Sequence, residues 1–338
     1  MKALILKGPG EATIETVPEP ARIADQVLLQ VRSVGICGTD LSSFRGKNPL
    51  VSYPRIPGHE IAATVVEASS SRPEIVPGTN VTLSPYFSCG QCPSCKRGRP
   101  NACQFNETMG VQREGAMTEF IQVPAEKLFP ANLSITELCI VEPLTVGFHA
   151  AARGRITAQD TVAIIGCGGV GLGAVAGSVF RGARTIAIDV DDAKLNLARK
   201  VGAQHSINTK VESLETRLKE LTDGRGPDVI IEAVGRPDTF RAAVEQVAFT
   251  GRVVYIGYAK DDVAYETRYF VQKELDILGS RNALPEDFRE VIRMLEEKRF
   301  PVAEAVSAIV ELEQAPDILR QWSEHPERFT KIMIASGE

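Results

Sequence analysis

A glycine-rich hexapeptide between two apolar stretches constrains the fold of this chain more than any other feature. Residues 166–171 read Gly-Cys-Gly-Gly-Val-Gly, after the apolar stretch TVAII and before the small-residue stretch LGAVAGSVF. This spacing is typical of a tight turn from a buried strand into a helix, where absent side chains let the backbone approach a pyrophosphate. The free N–H groups of the helix N-terminus favour the same anion. The predicted dinucleotide-binding residues are Gly166, Gly168, Gly169, Val170 and Gly171, and a structural glycine turn is the alternative.

An acidic residue follows at the end of the next apolar stretch. Asp189 closes TIAID, and its carboxylate is expected to accept hydrogen bonds from the ribose hydroxyls of the dinucleotide. Because Asp189, Asp191 and Asp192 would all repel a 2′-phosphate, we predict NAD rather than NADP as the cofactor.

The pattern of apolar segments along the chain changes near Thr145. Before that residue, short apolar segments separated by proline and glycine predict a small barrel-like β domain. After it, apolar strands alternate with helical segments, which is typical of a parallel sheet covered on both faces. The final segment FTKIMIAS is expected to return to the first domain. The predicted domains are residues 1–148 with 284–338, and residues 149–283 as an inserted dinucleotide-binding domain.

Composition and charge narrow the range of partners. The 338 residues carry a formal net charge of -5, which provides no positive field for nucleic acid. The beginning MKALILKGPGEAT lacks the long apolar stretch of a secretory signal. The apolar stretch from Val162 to Phe180 contains the glycine loop, so we interpret it as a strand, loop and helix rather than a membrane span. We therefore expect a cytoplasmic protein without nucleic-acid or membrane partners.

Four of the seven cysteines crowd into fifteen residues. They are spaced Cys-x2-Cys-x2-Cys-x7-Cys, and we expect a small lobe of about residues 86–106 around them. Four thiolates favour a closed tetrahedral zinc site, which is structural because it has no vacant position. An iron–sulfur cluster and unligated cysteines are the alternatives. The predicted structural zinc ligands are Cys89, Cys92, Cys95 and Cys103.

A second set of metal-ligating residue types lies nearer the N-terminus. Cys37 occurs in GICGTD, and His59 and Glu60 occur in GHE. One thiolate, one imidazole and one carboxylate can bind zinc and leave a fourth position for water or substrate. A single cysteine or histidine is also common in a protein core, so packing is the alternative interpretation.

Taken together, these motifs resemble those of the zinc-dependent medium-chain alcohol and polyol dehydrogenases. The branch of sorbitol, threonine and sugar-acid dehydrogenases is the most similar. The resemblance rests on GICGTD, GHE, the four-cysteine lobe, VEPLTVGFHA, GCGGVG and GSRNA, in the family's order. It implies a GroES-like β-barrel catalytic domain with an inserted Rossmann domain, two zinc ions per subunit and NAD. It also implies a homodimer or homotetramer.

The resemblance assigns roles residue by residue. It implies Cys37 and His59 as ligands of a catalytic zinc. Glu142 occupies a position where other members have a second cysteine, and Glu60 would exchange with Glu142 or water during turnover, although either carboxylate can instead lie outside the ligand set. Asp40 matches the acid that orients the histidine ligand. Thr39 matches the hydroxyl that takes the proton of the alcohol.

Two positions bear on proton transfer and substrate. Many relatives carry a histidine three residues after the proton-accepting hydroxyl, whereas this chain has Ser42, so the proton must leave differently. Arg113 lies where relatives place a loop beside the substrate, and it can pair with a carboxylate or remain a solvated surface residue.

The predicted reaction is hydride transfer between NAD and a secondary alcohol of a polyol, sugar or sugar acid. Two alternatives are a non-catalytic protein that senses NAD and zinc, and a dehydrogenase of small alcohols of the threonine or 2,3-butanediol type. A zinc-free quinone reductase disagrees with the cysteine and histidine motifs.

Overall fold

A computed structural model describes residues 1–336 of the chain. The strands are β1 (Lys2–Gly8), β2 (Glu11–Thr16), β3 (Gln26–Ile36), β4 (Glu60–Glu67), β5 (Asn80–Leu83), β6 (Tyr86–Phe87), β7 (Glu107–Thr108), β8 (Phe120–Pro124), β9 (Leu128–Pro130), β10 (Thr161–Ile165), β11 (Arg184–Asp189), β12 (His205–Asn208), β13 (Val229–Glu232), β14 (Arg252–Tyr255), β15 (Asp276–Gly279), β16 (Ala308–Glu311) and β17 (Ile332–Ala335). The helices are α1 (Gly38–Phe44), α2 (Pro93–Lys96), α3 (Ile135–Cys139), α4 (Val141–Arg153), α5 (Gly169–Phe180), α6 (Asp192–Val201), α7 (Leu214–Leu221), α8 (Pro237–Gln246), α9 (Arg268–Gln272), α10 (Pro285–Glu296), α11 (Val302–Ala305) and α12 (Ala315–Glu324).

The chain forms two compact units. The first comprises Met1–Glu142 and Val302–Glu338, and the second comprises Pro143–Pro301. The N-terminal and C-terminal parts of the chain thus share one unit. The unit boundaries lie at residues 142 and 302, whereas the sequence analysis placed the domain boundaries at 148 and 284. As a consequence α10 lies in the second unit, where its buried face includes Phe288 and Val291.

The first unit is built on a mostly antiparallel sheet in the order β16-β17-β3-β4-β5-β9, with β8 also paired to β3. The long strand β3 is central because it pairs with β4, β8 and β17. Its alternating apolar residues, such as Leu29 and Val31, enter a core shared with Ile61, Val81 and Ile121. The last strand, β17, lies between β16 and β3 and is antiparallel to β3, so the segment FTKIMIAS belongs to the first unit.

The second unit contains a six-stranded parallel sheet. Its order is β12-β11-β10-β13-β14-β15, and each neighbouring pair is parallel. This is the doubly wound order in which the chain reverses direction across the sheet between β10 and β13. The apolar strands are buried on both faces, as the consecutive β10 residues Ile164 and Ile165 illustrate, because successive strand residues point to opposite faces. The expected α/β fold class, with a doubly wound parallel sheet in one of two units, is confirmed.

Candidate active site

The glycine loop connects β10 to α5 at the point where the sheet reverses. Gly166 has a φ of 96°, a left-handed conformation that favours glycine. At Gly171 a Cβ atom would lie 1.8 Å from the carbonyl oxygen of Gly166, so a side chain there would break the turn. Gly168 is the N-cap of α5, and Gly169 and Val170 form its first turn. The loop therefore leaves the first N–H groups of α5 available to an anion.

Asp189 lies beside this loop at the end of β11. Its Oδ2 accepts a hydrogen bond of 2.7 Å from the backbone N–H of Cys167, and its Oδ1 accepts one from the N–H of Val190. These bonds fix the carboxylate next to the glycine loop on the neighbouring strand. Its interaction with a ribose stays a prediction.

Glu232, a residue that the sequence analysis missed, supports the same region from the end of β13. Its Oε1 accepts hydrogen bonds from the N–H groups of Val234 and Gly235 and from the hydroxyl of Thr239, at 2.8–2.9 Å. Burial raises the pKa of this carboxyl. Val234 in turn packs against the glycine loop, because a Cβ atom at Gly166 would lie 2.6 Å from Cγ2 of Val234. The only signal in the sequence was an acid at the end of an apolar strand.

The four clustered cysteines converge as predicted by their spacing. Their Sγ atoms lie 3.5 Å apart between Cys92 and Cys95, 3.8 Å between Cys92 and Cys103, and 3.5 Å between Cys103 and Cys89. A tetrahedral zinc site requires about 3.8 Å between sulfurs. A hydrogen bond with Ser94 lowers the pKa of Cys92 to about 5, which favours the thiolate. The donors therefore fit a closed zinc site.

Arg113 lies beside the cysteine lobe. Its guanidinium carbon is 3.8 Å from the ring centroid of Phe87, and its Nη1 is 3.5 Å from Glu107. Phe87 and Glu107 are paired residues of β6 and β7. The stacking and the ion pair hold Arg113 against this small hairpin, and its contact with a substrate stays a prediction.

A second donor cluster forms where β3 ends and β4 begins. One ligand atom each from Cys37, His59 and Glu60 lies within 4.8 Å of the others. Cys37 directly follows β3 and caps α1, whereas His59 directly precedes β4. Because β3 and β4 are antiparallel, with Gly35 opposite Glu60, the end of one strand meets the start of the other. A thiol, an imidazole and a carboxylate gathered in this way fit zinc with a position left open.

The predicted orienting acid, Asp40, is almost fully buried next to this cluster. Its Oδ2 accepts a hydrogen bond from the N–H of Cys37 at 2.9 Å, and its Oδ1 accepts one from Gly58 at 3.1 Å. The nearest His59 nitrogen, Nδ1, is 3.9 Å from Asp40 and has no hydrogen-bond partner among the described residues. Asp40 thus directly fixes the backbone of both metal-binding segments, and its orienting of the His59 ring stays a prediction.

Glu142 approaches from the first turn of α4 and is not a member of this three-residue group. Its Oε1 accepts a hydrogen bond from the phenol of Tyr86, another residue that the sequence analysis did not identify. Burial raises the pKa of Glu142 to about 7, with the charge on His59 opposing the shift. Both predicted carboxylates are therefore buried, and the structure groups Glu60 with Cys37 and His59.

The negative charges around His59 change the pKa of its imidazole. Burial lowers the pKa of His59, but the negative charges of Asp40 and Cys37 outweigh it and raise the pKa well above the ordinary value. A site that stabilises a positive charge on His59 in this way also favours a bound cation.

Thr39 and Ser42 lie on the less buried side of helix α1, which follows Cys37. Both lie on α1 and are half-buried, and their spacing of three residues places them on one face of the helix. Two hydroxyls thus follow Cys37 on α1, and their part in a proton path stays a prediction.

Lys331 is the third residue that the sequence analysis missed. It immediately precedes β17, and its Nζ donates hydrogen bonds to both carboxylate oxygens of Glu60. A lysine at the edge of the apolar stretch KIMIA was the available signal.

Family models match a segment in each of the two units. The family model for the alcohol dehydrogenase GroES-like domain matches residues 23–133, and the model for zinc-binding dehydrogenase matches residues 169–297. Among the described residues, no helix is both long and apolar enough to span a membrane.

Several similar proteins cover almost the whole chain. An uncharacterized zinc-type alcohol dehydrogenase-like protein of Haemophilus influenzae is 36% identical over 98% of both chains. Sorbitol dehydrogenase of Bacillus subtilis is 33% identical over 99% of this chain and 97% of its own. L-galactonate-5-dehydrogenase of Escherichia coli is 31% identical over 88% of each. A solved Escherichia coli structure, described as a short chain alcohol dehydrogenase complexed with NADH, has a TM-score of 0.91, 26% identity and 99% coverage of both chains.

Proposed function

The chain belongs to the zinc-dependent medium-chain alcohol and polyol dehydrogenases, and we propose that it oxidises a secondary alcohol of a polyol, sugar or sugar acid with NAD. The observation that carries this proposal is the cluster of half-buried Cys37 with buried His59 and Glu60. It occurs in a chain that also has a glycine loop for a dinucleotide.

The residues for the two zinc ions follow from the donor clusters. Cys89, Cys92, Cys95 and Cys103 would hold a structural ion, because four thiolates leave no position for a substrate. Cys37, His59 and Glu60 would hold the catalytic ion, and Glu142, on which the charges of His59 and Glu60 act, would replace a ligand during turnover.

Catalysis is divided between cofactors and side chains. When bound, zinc lowers the pKa of an alcohol hydroxyl and NAD accepts the hydride. Thr39 accepts the alcohol proton and passes it along α1 toward Ser42 and water. Ser42 stands at the position where many other members have a histidine. Asp40 keeps the two metal-binding segments together through its hydrogen bonds to Cys37 and Gly58.

The substrate class is a finer part of the proposal. The relatives named above include dehydrogenases of sorbitol and of L-galactonate, a neutral polyol and a sugar acid. A carboxylate-containing donor set is harder than one with two thiolates, so it favours vicinal oxygen ligands. Arg113 is the proposed partner of a substrate carboxylate, for which it would have to leave Glu107.

A panel of C4–C6 sugar alcohols and aldonates tests this function directly. Each compound is incubated with the zinc-loaded protein and NAD, and NADH formation is followed by absorbance. We expect at least one of them to be oxidised much faster than ethanol. An absence of NADH with every compound would favour a sensor, whereas a preference for threonine or 2,3-butanediol would replace the proposed substrate class. Arg113→Ala should raise KM for aldonates more than for neutral polyols.

We further propose that the protein is a cytoplasmic homodimer or homotetramer. In the described chain β15 pairs with β14 on one side only, and the apolar side chain of Ile277 in this strand is 43% exposed. An open parallel edge of this kind can pair with the same strand of a second copy. Analytical ultracentrifugation of the wild type and of Ile277→Lys tests this: a monomeric wild type would contradict it.

A further inference from the structure

The mechanism proposed above leaves one buried cation unused. Among the described residues, Lys331 is the only lysine or arginine that is buried, with 8% of its surface exposed. Its Nζ lies 2.6 Å from each carboxylate oxygen of Glu60 and 3.4 Å from the carbonyl oxygen of Ile36. The ammonium group of Lys331 therefore binds both oxygens of Glu60, the carboxylate that lies with Cys37 and His59.

Three strands build this contact. In the central strand β3, Ile36 is paired with Ile332 of β17 and Gly35 is paired with Glu60 of β4. Lys331 and Glu60 thus reach the end of β3 from opposite sides. A Cβ atom at Gly35 would lie 1.9 Å from Oε2 of Glu60, so the carboxylate crosses β3 only because residue 35 has no side chain.

The local balance of charge gives the contact its significance. Three carboxylates, Asp40, Glu60 and Glu142, are each at most 3% exposed in this region. A buried charge without a partner is costly, and Lys331 provides the one ammonium group that meets Glu60. A carboxylate shared between an ammonium and a divalent cation binds each of them more weakly than it would bind either alone.

We propose that Lys331 is a positioning residue that competes with the catalytic metal for Glu60. The ammonium keeps Glu60 from becoming a permanent tight ligand, so that this ligand can leave and return. The inference rests on the proposed placement of a catalytic zinc at Cys37, His59 and Glu60. A purely structural ion pair is the alternative, and it would stabilise the fold without changing the affinity for metal.

Zinc release from the loaded protein separates these two roles. We compare the wild type with Lys331→Met, which removes the charge at similar length, and with Lys331→Arg, which keeps it. Lys7→Met removes a lysine from an exposed ion pair with Glu15 and is the matched control. A Cys37→Ser variant identifies the release phase of the structural zinc.

Transfer of zinc to a chromogenic chelator should become roughly tenfold slower or more in Lys331→Met, because removing a nearby positive charge favours a bound cation. Release from Lys331→Arg and Lys7→Met should remain close to the wild-type rate. The visible spectrum of the cobalt-substituted protein should weaken in Lys331→Met as Glu60 becomes a permanent ligand. For an enzyme with an identified substrate, kcat should fall more than KM changes.

A folded Lys331→Met protein that contains two zinc ions and releases them at the wild-type rate would overturn the proposal. If Lys331→Met fails to fold, Glu60→Gln is compared with the double variant Lys331→Met/Glu60→Gln, in which no buried charge is left unpaired. The double variant should then release zinc at about the same rate as Glu60→Gln. A slower release from the double variant than from Glu60→Gln would show that Lys331 does not act through Glu60. Because zinc release needs no substrate, it tests Lys331 even if the panel of alcohols fails.

Discussion

At the scale of single residues, the candidate metal site is defined by two carboxylates with different partners. Glu142 accepts a hydrogen bond from the neutral phenol of Tyr86, whereas Glu60 is bound by the ammonium of Lys331. A neutral donor compensates less of a buried negative charge than an ammonium does. The two carboxylates should therefore respond differently to removal of the metal.

The raised pKa of Glu142 predicts a pH-dependent stability for the metal-free protein. The pKa is about 7 in the folded protein against an ordinary value of 4.5. Above pH 7 the carboxyl is ionised in both states, so the folded state bears the full cost of the buried charge. Between pH 7 and 4.5 that cost disappears, because only the unfolded state is ionised.

Glu142→Gln should therefore be more stable than the wild type above pH 7, by at most roughly 3 kcal/mol. The gap should close as the pH falls to about 4.5. Urea denaturation of the metal-free proteins from pH 5 to 8 measures it. Glu126→Gln, the same change at an exposed position, is the matched control, and a gap that is constant with pH would contradict the assignment.

The hydroxyl of Thr39 provides the second residue-scale prediction. Thr39→Val keeps the shape of the side chain but cannot accept or pass on a proton, so kcat should fall by about 100-fold or more. Zinc content should remain at two per chain. Thr39→Ser should retain most of the activity. A Thr39→Val enzyme of nearly wild-type kcat would exclude Thr39 from the proton path.

At the scale of elements, the site depends on strand register, which the sequence does not encode locally. Motifs identified Cys37, His59 and Glu60, and the strand patterns located β3, β4 and β17. The pairing of Ile36 with Ile332 is a long-range property of the folded sheet, and it brings Lys331 to the site. For the same reason Asp40 was assigned to His59 by resemblance, while its actual hydrogen bonds are to backbone N–H groups.

Gly35 tests the role of register. In Gly35→Ala the new Cβ would lie 1.9 Å from Oε2 of Glu60, so this carboxylate must move. We expect the variant to retain the structural zinc and lose the catalytic one, which lowers the content from two zinc ions to one in elemental analysis. Gly38→Ala is the matched control, because a Cβ at Gly38 has no neighbour within 4 Å. Two zinc ions in Gly35→Ala would show that Glu60 need not cross β3.

At the scale of the whole molecule, the sequence predicted the class of architecture better than its boundaries. The glycine loop and the alternation of strands and helices predicted the parallel sheet, and the return of the C-terminal strand followed from its apolar pattern. The sequence analysis placed α10 with the first domain, whereas the compact units group it with the second, and its apolar spacing does not reveal which core it enters. In the structure, Asp287 of α10 lies 2.9 Å from His149 of α4, within the second unit.

Cofactor choice is a prediction about the complete enzyme. Asp189→Ala removes the carboxylate that is expected to bind the ribose hydroxyls, so the Kd for NADH should rise by roughly 10- to 100-fold. The preference over NADPH should shrink, because a negative charge near the 2′-phosphate is lost. Fluorescence titration of both cofactors measures this, with the exposed variant Glu215→Gln as control. Unchanged affinity for NADH would remove Asp189 from the cofactor site.

The account depends most on the claim that zinc at Cys37 and His59 is required for oxidation of an alcohol by NAD. The decisive measurement is NADH formation with the best alcohol of the panel, made on the zinc-loaded protein, after chelation of the catalytic zinc, and after zinc is restored. We predict that the activity disappears on chelation and returns with zinc, while Cys37→Ser remains inactive throughout. Full activity in the chelated protein, or in Cys37→Ser, would contradict the account.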